Sequence, residues 1–506
     1  MPNKKLNQLK AGAVLNYVVI FLNIAVNLLY TPYMLRKLGQ SEFGLYSLVA
    51  SIIAYLTVLD FGFGNAIVRY TAKYRATGRI REQYEMFGMF FILYLIIGAV
   101  VFLLGLILYF NVETLFGESM TELELGKARI MMMILIINLA FTFPMSIFGS
   151  IITAYEKFVF PRVINICRIA LNTAVMICLL SMGYKAIAMV IVQTVFNITT
   201  LLLNLIFCKR ILRIEMHFAH FDWSFVKEIM VYSLWIFLNV LMDKIYWSTG
   251  QFVLGAISGT IAVSIYAVAI HLHSFYMHFS SAVSNVFLPK VTSMIALNKT
   301  DNDVSELFIK VGRLQFIIIA FILSGFIIFG REFIILWAGP EYEEAFIISL
   351  LFFVSLFIPT IQTLGIIILQ ARNEMKFRSL LYLIIAGVSL IFQICLAKQY
   401  GAIGCAIAVS LALFIGQGII MNNYYARVQR IDIRGFWRSI RKMAIVPIIM
   451  TVISLFVESR ITATSWTSIL LHICVFSLLY IPLFYRFSMN QYERNLMMSF
   501  VKKIKP

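Results

Sequence analysis

Apolar and polar positions alternate along this chain by whole segments, not by single residues. Runs of about 15 to 28 mostly apolar residues occupy 11–31, 44–67, 87–110, 130–153, 163–183, 186–207, 229–256, 260–287, 314–330, 345–369, 379–397, 401–421, 443–457 and 465–485. A helix needs roughly 20 such residues to cross the hydrocarbon core of a bilayer. Backbone groups in lipid must be bonded within the protein, and unbroken apolar runs suit helices, not the alternating strands of a barrel. The pattern predicts an all-α integral membrane protein with 14 transmembrane helices.

An internal repeat divides the series. Ile20-Phe21-Leu22-Asn23 returns as Ile236-Phe237-Leu238-Asn239, and at the same offset of 216 Tyr30 returns as Tyr246 and Leu38-Gly39 as Leu254-Gly255. After a four-residue insertion Tyr46 returns as Tyr266. A register held across a loop marks a duplicated half. The expected organisation is an N-lobe of helices 1 to 6 (1–207), a linker (208–228), a C-lobe of helices 7 to 12 (229–421), and helices 13 and 14 with a basic tail (422–506). Six helices per repeat leave the two pseudo-symmetric lobes pointing the same way, related by an axis along the membrane normal, with a substrate path between them. The linker carries Ile211, Leu212, Ile214, Met216, Phe218, Phe221 and Trp223 among polar residues and is expected as an amphipathic hinge on the inner membrane surface.

Composition supports the membrane reading and charge orients it. Hydrophobic residues make up 61% of 506 and charged ones 13%, against roughly 45–50% and 25% in soluble domains. Of the 42 Lys and Arg, 33 fall in alternate connections that include both termini. The opposite set holds only Arg36, Lys37, Lys127, Arg129, Lys185, Arg331, Lys398 and Arg460, together with the acidic stretches near Glu113–Glu124 and Glu341–Glu344. Basic loops stay in the cytoplasm, so both termini are expected there. The net charge of +18 is thereby explained without nucleic acid. The first apolar run is too long for a cleaved signal and is expected to remain as an anchor. Cys167, Cys178, Cys208, Cys395, Cys405 and Cys474 lack the paired spacing of a disulfide framework or a zinc site.

Candidate chemistry lies where polarity enters the apolar runs. Asn16, Asn23, Asn27 and Tyr30 fall within about 60° of one another on helix 1, forming a single polar stripe. Its counterpart on helix 7 is Tyr232, Asn239, Asp243 and Tyr246. Two readings of the stripe stand, the wall of a water-filled cavity or hydrogen-bonding glue between helices. Within the windows only Asp60, Arg168, Asp243 and Lys244 are charged. Arg168 is close enough to the cytoplasmic end of its helix to snorkel. An ionisable group in the bilayer costs about 3 kcal/mol or more, so Asp60, Asp243 and Lys244 each need a partner or water. Lys244 is expected to meet an anionic substrate and Asp243 to titrate or bind a cation; the alternative is neutralisation by other helices. Asp60-Phe61-Gly62-Phe63-Gly64-Asn65, followed by Arg69, suits either a local helix break or close helix packing. On helix 8, Tyr266, His273, Ser280 and Ser284 share a face while His271 and His278 share another, so cavity lining is expected there but no metal site. Nothing resembles a nucleophile-base set, a P-loop or a dinucleotide fingerprint, which argues against an enzyme, a bound cofactor and ATP-driven pumping.

The stretch Tyr33-Met34-Leu35-Arg36-Lys37-Leu38-Gly39-Gln40-Ser41-Glu42-Phe43-Gly44-Leu45-Tyr46-Ser47-Leu48, then Leu59 to Ala66 with Arg69-Tyr70, resembles the polysaccharide transporter family. These are the Wzx-type oligosaccharide flippases of the multidrug/oligosaccharidyl-lipid/polysaccharide superfamily. Gly330-Arg331-Glu332-Phe333 through Leu336-Trp337-Ala338-Gly339-Pro340-Glu341-Tyr342 resembles that family's segment after its ninth helix. The resemblance implies two six-helix bundles, as in the superfamily's multidrug transporters, around a cavity open to each side by turns in a bacterial or archaeal cell membrane. It implies an isoprenoid diphosphate carrying an oligosaccharide, of the undecaprenyl type, as substrate, with membrane lipids, a glycan polymerase and export machinery as partners. Lys244, Arg69, the Asn stripe and Tyr30/Tyr246 supply the cationic, amide and aromatic groups such a molecule needs. Coupling to sodium, to protons or to no ion stays open. An organic-cation antiporter of the same superfamily and a non-transporting scaffold of a glycan synthesis complex are the alternatives.

Overall fold

A computed structural model describes residues 2–218, 223–460 and 465–504, and helix is the regular secondary structure among them. In chain order the helices are α1 (Pro2–Leu38), α2 (Gln40–Leu56), α3 (Phe63–Ala76), α4 (Ile80–Phe110), α5 (Val112–Phe116), α6 (Glu122–Ala154), α7 (Val159–Ser181), α8 (Ala186–Ile206), α9 (Trp223–Trp247), α10 (Thr249–Ile257) and α11 (Gly259–Ser284). There follow α12 (Leu288–Ala296), α13 (Asp301–Trp337), α14 (Ala345–Ile361), α15 (Thr363–Ala371), α16 (Met375–Leu413), α17 (Met421–Arg427), α18 (Ile433–Glu458), α19 (Trp466–Phe487) and α20 (Gln491–Ile504). The two long helices α6 and α13 start with capping boxes, Thr121 with Glu124 and Thr300 with Asp303, which satisfy backbone donors that a helix start leaves open.

Among the described residues eleven helices are long and apolar enough to cross a membrane, or twelve if the bent pair α14 and α15 is one span. The 14 apolar windows exceed that number for two visible reasons. First, Met375–Arg427 counts as one span of 53 residues although Gly401 interrupts it at φ 54°, ψ −132°. The Cys405 thiol donates to the Gln393 carbonyl, 12 residues upstream, at 3.9 Å. A continuous helix would separate them by about 18 Å, so the chain doubles back at Gly401. Second, α9 has the length of a span, but it carries Lys227, Glu228, Asp243 and Lys244 and is not among the eleven.

Positive-φ residues recur through the chain at spacings of 217 to 220: Gly39 and Gly259, Gly78 and Asn298, Glu156 and Asn373, Gly183 and Gly401, Arg213 and Arg430. Such residues end helices, because the left-handed turn frees the backbone from the helical path. This periodicity corrects the register of the repeat. Gly39 corresponds to Gly259, both at φ 80° before a helix, and not to Gly255. The insertion therefore precedes the glycine.

Packing divides the chain into two compact units, 1–264 and 265–506. The expected lobe boundary at 207–229 follows the duplication, whereas α9, α10 and the start of α11 pack with the first repeat. Phe237 stacks on Phe61 at 4.7 Å, Phe225 meets Tyr70 edge-on at 4.8 Å, and Gly255 lies so close to Leu48 that a Cβ there would clash. Residues 213–218 form no helix but a strap along α4: the His217 amide donates to the Tyr84 carbonyl at 3.1 Å and Phe218 faces Phe91. Gly88 admits the strap, since a Cβ there would run into the His217 carbonyl. Phe221 lies outside the described residues.

In the second unit α13 is the central helix, flanked by α14, α18 and α19. Its Arg313 is buried with Glu493 of α20 through paired contacts of 2.5 and 2.8 Å, and also donates to Ser439 at 2.7 Å. A buried carboxylate-guanidinium pair that loses one member leaves an uncompensated charge, at about 3–5 kcal/mol. The exposed pair Arg331–Glu343 sets the comparison, at about 0–1 kcal/mol. Glu493→Ala is expected to lower the thermal unfolding midpoint of the purified protein clearly, and Glu343→Ala to leave it within error; equal shifts in scanning fluorimetry would contradict the assignment.

Candidate functional site

The second span of the first unit is broken in its middle. After α2 one 3-10 turn, Thr57–Asp60, is followed by Phe61 and Gly62 at φ 52° and 69°, and only then does α3 begin. Gly62 accepts this geometry without strain, and Phe61 is held in it by neighbours. Its ring stacks on Phe63 at 5.6 Å and on Phe237 of α9 at 4.7 Å. Asp60 sits half-buried at the break, beside the Tyr94 hydroxyl of α4 and the Gly62 amide. Tyr94 is 1% exposed and packs on Phe63 and Phe143. Of the two readings of Asp60-Phe61-Gly62-Phe63-Gly64, the helix break is the one realised.

Beyond the break α3 turns Asn65, Arg69 and Lys73 outward at four-residue steps. The Arg69 guanidinium and the Lys73 ammonium each lie 5.8 Å from the Tyr70 ring, which Phe225 holds from the other helix. On α9, Lys244 follows Phe237 by seven residues and shares its face, about 10 Å further along the axis. Lys244 is half-buried, Asp243 is exposed on the adjoining face, and neither takes part in an ion pair among the described residues. Tyr246 is 3% exposed, Asn239 is half-buried, and Tyr232 lies on the same helix with its side chain outside the described residues.

On α1, Asn23 donates to the Val19 carbonyl at 2.9 Å and Asn27 to the Asn23 carbonyl at 2.8 Å. Both amides are thus bonded within their own helix and do not bridge to another. Asn16 and Tyr30 are half-buried, and the Tyr30 hydroxyl has no hydrogen-bond partner among the described residues. Polar glue between helices is found elsewhere, where Asn197 of α8 donates to Asn138 and Thr142 of α6 at 2.9 and 2.8 Å.

The other two expected wall residues belong to the second unit. Tyr266 is wholly buried and His273 is 7% exposed, both edge-on to Phe352 of α14. They are packed in that unit's interior. The same unit contains a cavity of about 410 Å³ between α13, α14 and α18, walled by Phe316, Leu323, Phe357 and Ile448 with Trp437 and Arg441 at its α18 start. No group of three His, Cys, Asp or Glu that could hold a metal ion occurs among the described residues. Sequence reasoning missed Tyr94 and Phe237. A tyrosine inside the apolar run 87–110 was the one available signal for Tyr94, and Phe237 gave none beyond its place in the repeat.

The model of a family described as polysaccharide biosynthesis protein matches residues 9–295. The chain belongs to that family. Among curated proteins, one from Shigella flexneri, provisionally described as an O-antigen transporter, is 18% identical over 406 residues, covering 78% of this chain and 92% of its own. Among solved structures, the lipid II flippase MurJ in an inward closed conformation superposes with a TM-score of 0.68 at 18% identity, over 94% of this chain and 98% of the other. An inward-facing multidrug resistance transporter of the MATE family and MOP superfamily superposes at 0.61 with 14% identity, over 82% and 99%. The fold of this family member is therefore that of MurJ and the MATE transporters. The relatives so matched are transporters and flippases, not enzymes, and a many-spanned helical chain of this family resides in the cell membrane.

The stack at the break generates a prediction. An offset aromatic pair contributes about 0.5–1.5 kcal/mol beyond its burial. Phe61→Leu, Phe237→Leu and the double variant, compared by thermal unfolding in one detergent, are expected to show a coupling of that size. Strict additivity would mean that the rings do not hold the break together.

Proposed function

We propose that this protein moves isoprenoid-diphosphate-linked oligosaccharides from the inner to the outer leaflet, for cell-surface polysaccharide synthesis, by alternating access. Membership of the polysaccharide biosynthesis family supports the substrate class. The observation that carries the site is Lys244, a cation in the last turn of α9 outside any ion pair among the described residues, on the face that meets the Asp60 break. A diphosphate satisfies such a charge, whereas no lipid tail does. Arg69 and Lys73 lie nearer the cytoplasmic end of the same route, and the free carbonyl ends of Asn23 and Asn27 suit sugar hydroxyls. An apolar cavity with an arginine at one end, as between α13 and α18, suits an amphiphile of this kind.

This reading takes fourteen spans, counting α9 and both arms of the hairpin at Gly401, with both termini cytoplasmic as the basic loops require. An undecaprenyl-type carrier and neighbouring polymerase and export proteins, which the family resemblance implies, belong to the same proposal. Coupling through Asp60 or Asp243 to sodium or protons is part of the proposal. The alternative, an organic-cation antiporter, draws on the exposed carboxylate of Asp243, which would attract a cationic drug as readily as a coupling ion.

Proteoliposomes holding a fluorescent lipid-diphosphate oligosaccharide provide the test. Charge-assisted contacts are worth about 1.5–3 kcal/mol, so Lys244→Ala is expected to slow flipping about tenfold or more at equal protein level, with Lys244→Arg close to wild type. Undiminished flipping by Lys244→Ala would remove that residue from the site. Export of an organic cation with no flipping of any glycan would favour the antiporter, and neither activity would leave the scaffold.

A further inference from the structure

We propose that Glu124 is the central acceptor of a reversible gate that closes the non-cytoplasmic end of the transport path. The inference rests on the orientation and alternating-access reading above. Its residues sit at three helix starts that the charge pattern places on the outer side: Ser41 of α2, Thr121 and Glu124 of α6, and Thr260 of α11. One oxygen of Glu124 accepts from the Ser41 hydroxyl at 2.6 Å and from the Thr260 hydroxyl at 2.8 Å. The other accepts from the Thr121 amide and hydroxyl, each at 2.9 Å. A carboxylate has about four acceptor positions, so all are filled.

Two of these helices belong to the first repeat and α11 begins with the second repeat's Gly259. The backbones come together as closely as the side chains. A Cβ on Gly44 would strike the Thr260 carbonyl, one on Gly255 would strike Leu48, and the Ser119 hydroxyl donates to the Gly255 carbonyl at 2.5 Å. The seam continues inward to a hydrogen bond between Tyr55 and Thr249. Tyr55 lies 14 residues beyond Ser41, about 20 Å along the helix, so the seam runs from the outer end almost to the Asp60 break.

The kind of bond separates this seam from the fixed contacts beside it. Within the first repeat, Glu42 pairs with Lys127 and accepts from the Ala186 amide at 3.2 Å, an ionic tie among α2, α6 and α8. The bonds that join this seam across the repeats are hydroxyl contacts to Glu124, to a carbonyl and to another hydroxyl. Each is worth on the order of 1 kcal/mol, somewhat more at the carboxylate. A total of a few kcal/mol holds a closed state without making it permanent. Thr121 caps its own helix with the same carboxylate, so Glu124 stays placed when Thr260 leaves.

The test uses the full chain with its six native cysteines replaced, in a form shown to retain transport. A membrane-impermeant maleimide is applied to intact cells carrying Thr249→Cys, a position 4% exposed in the closed seam. Glu124→Ala is expected to raise its labelling from outside at least fivefold, and Thr260→Ala to raise it less. Ser41→Cys should label from outside in every variant. Labelling of Ser41→Cys only from the cytoplasmic side would overturn the orientation and the gate with it. Outside labelling of Ser41→Cys with Thr249→Cys unmoved by Glu124→Ala would overturn the gate alone. A second measurement does not need Glu124 variants to fold: Ser41→Cys with Thr260→Cys, bridged by a short reducible thiol cross-linker, should lose at least nine-tenths of flipping and recover it on reduction. Undiminished flipping by the bridged protein would overturn the proposal.

Discussion

Inside a bilayer nothing replaces a lost backbone hydrogen bond, so every interruption of a spanning helix must be held by the protein's own side chains. The break after α2 shows what that demands. Two consecutive positive-φ residues open the helix, and Asp60, Tyr94 and the Gly62 amide bring polar groups to it while Phe61, Phe63 and Phe237 fill the space. The first repeat thus places its half-buried acid at a structural break as well as in any transport role. A second interruption, at Ser248 between α9 and α10, lies four residues beyond Lys244, so that charge stands one turn from a break in the helix.

Much of the architecture was legible because lipid imposes one simple rule on composition. Each apolar window holds a helix among the described residues, and charge divides the connections into two alternating sets. The number of spans was less legible from length and hydropathy alone, because Gly401 joins two runs into one helical assignment and α9 carries four charges. The repeat was legible but its register was not. Ile, Leu and Phe are so frequent here that matching letters misplaced Gly39 against Gly255, while the backbone pairs it with Gly259. Conformation identifies the correct partner because a positive φ before a helix is a far rarer property than a Leu-Gly dipeptide.

The site was legible in its charges and not in its partners. Asp60, Asp243 and Lys244 stood out because an ionisable group in an apolar run is expensive. Tyr94 and Phe237 did not, since an aromatic in such a run is what membrane helices are made of. Tyr266 and His273 were conspicuous for the opposite reason, polar atoms in an apolar helix, yet they are packed against Phe352. A tyrosine or neutral histidine can be buried at moderate cost, whereas a lysine cannot, so residue type predicts a wet environment only for the fully charged groups.

The two copies of the repeat have drifted in the direction that an asymmetric substrate would favour. On α1 the amide N–H groups of Asn23 and Asn27 are bonded to their own helix, which leaves the stripe neutral. At the matching place on α9 the stripe has gained Asp243, with Lys244 beside it, and neither charge is neutralised by an ion pair among the described residues. A lipid-linked glycan is itself divided into a charged diphosphate and a neutral, hydroxyl-rich sugar. One neutral wall and one charged wall match that division better than two identical walls would. A small organic cation presents no such division and gives no reason for Lys244 to persist next to the acid. The drift of a single repeat thus argues for the glycan lipid on grounds independent of the family to which the chain belongs.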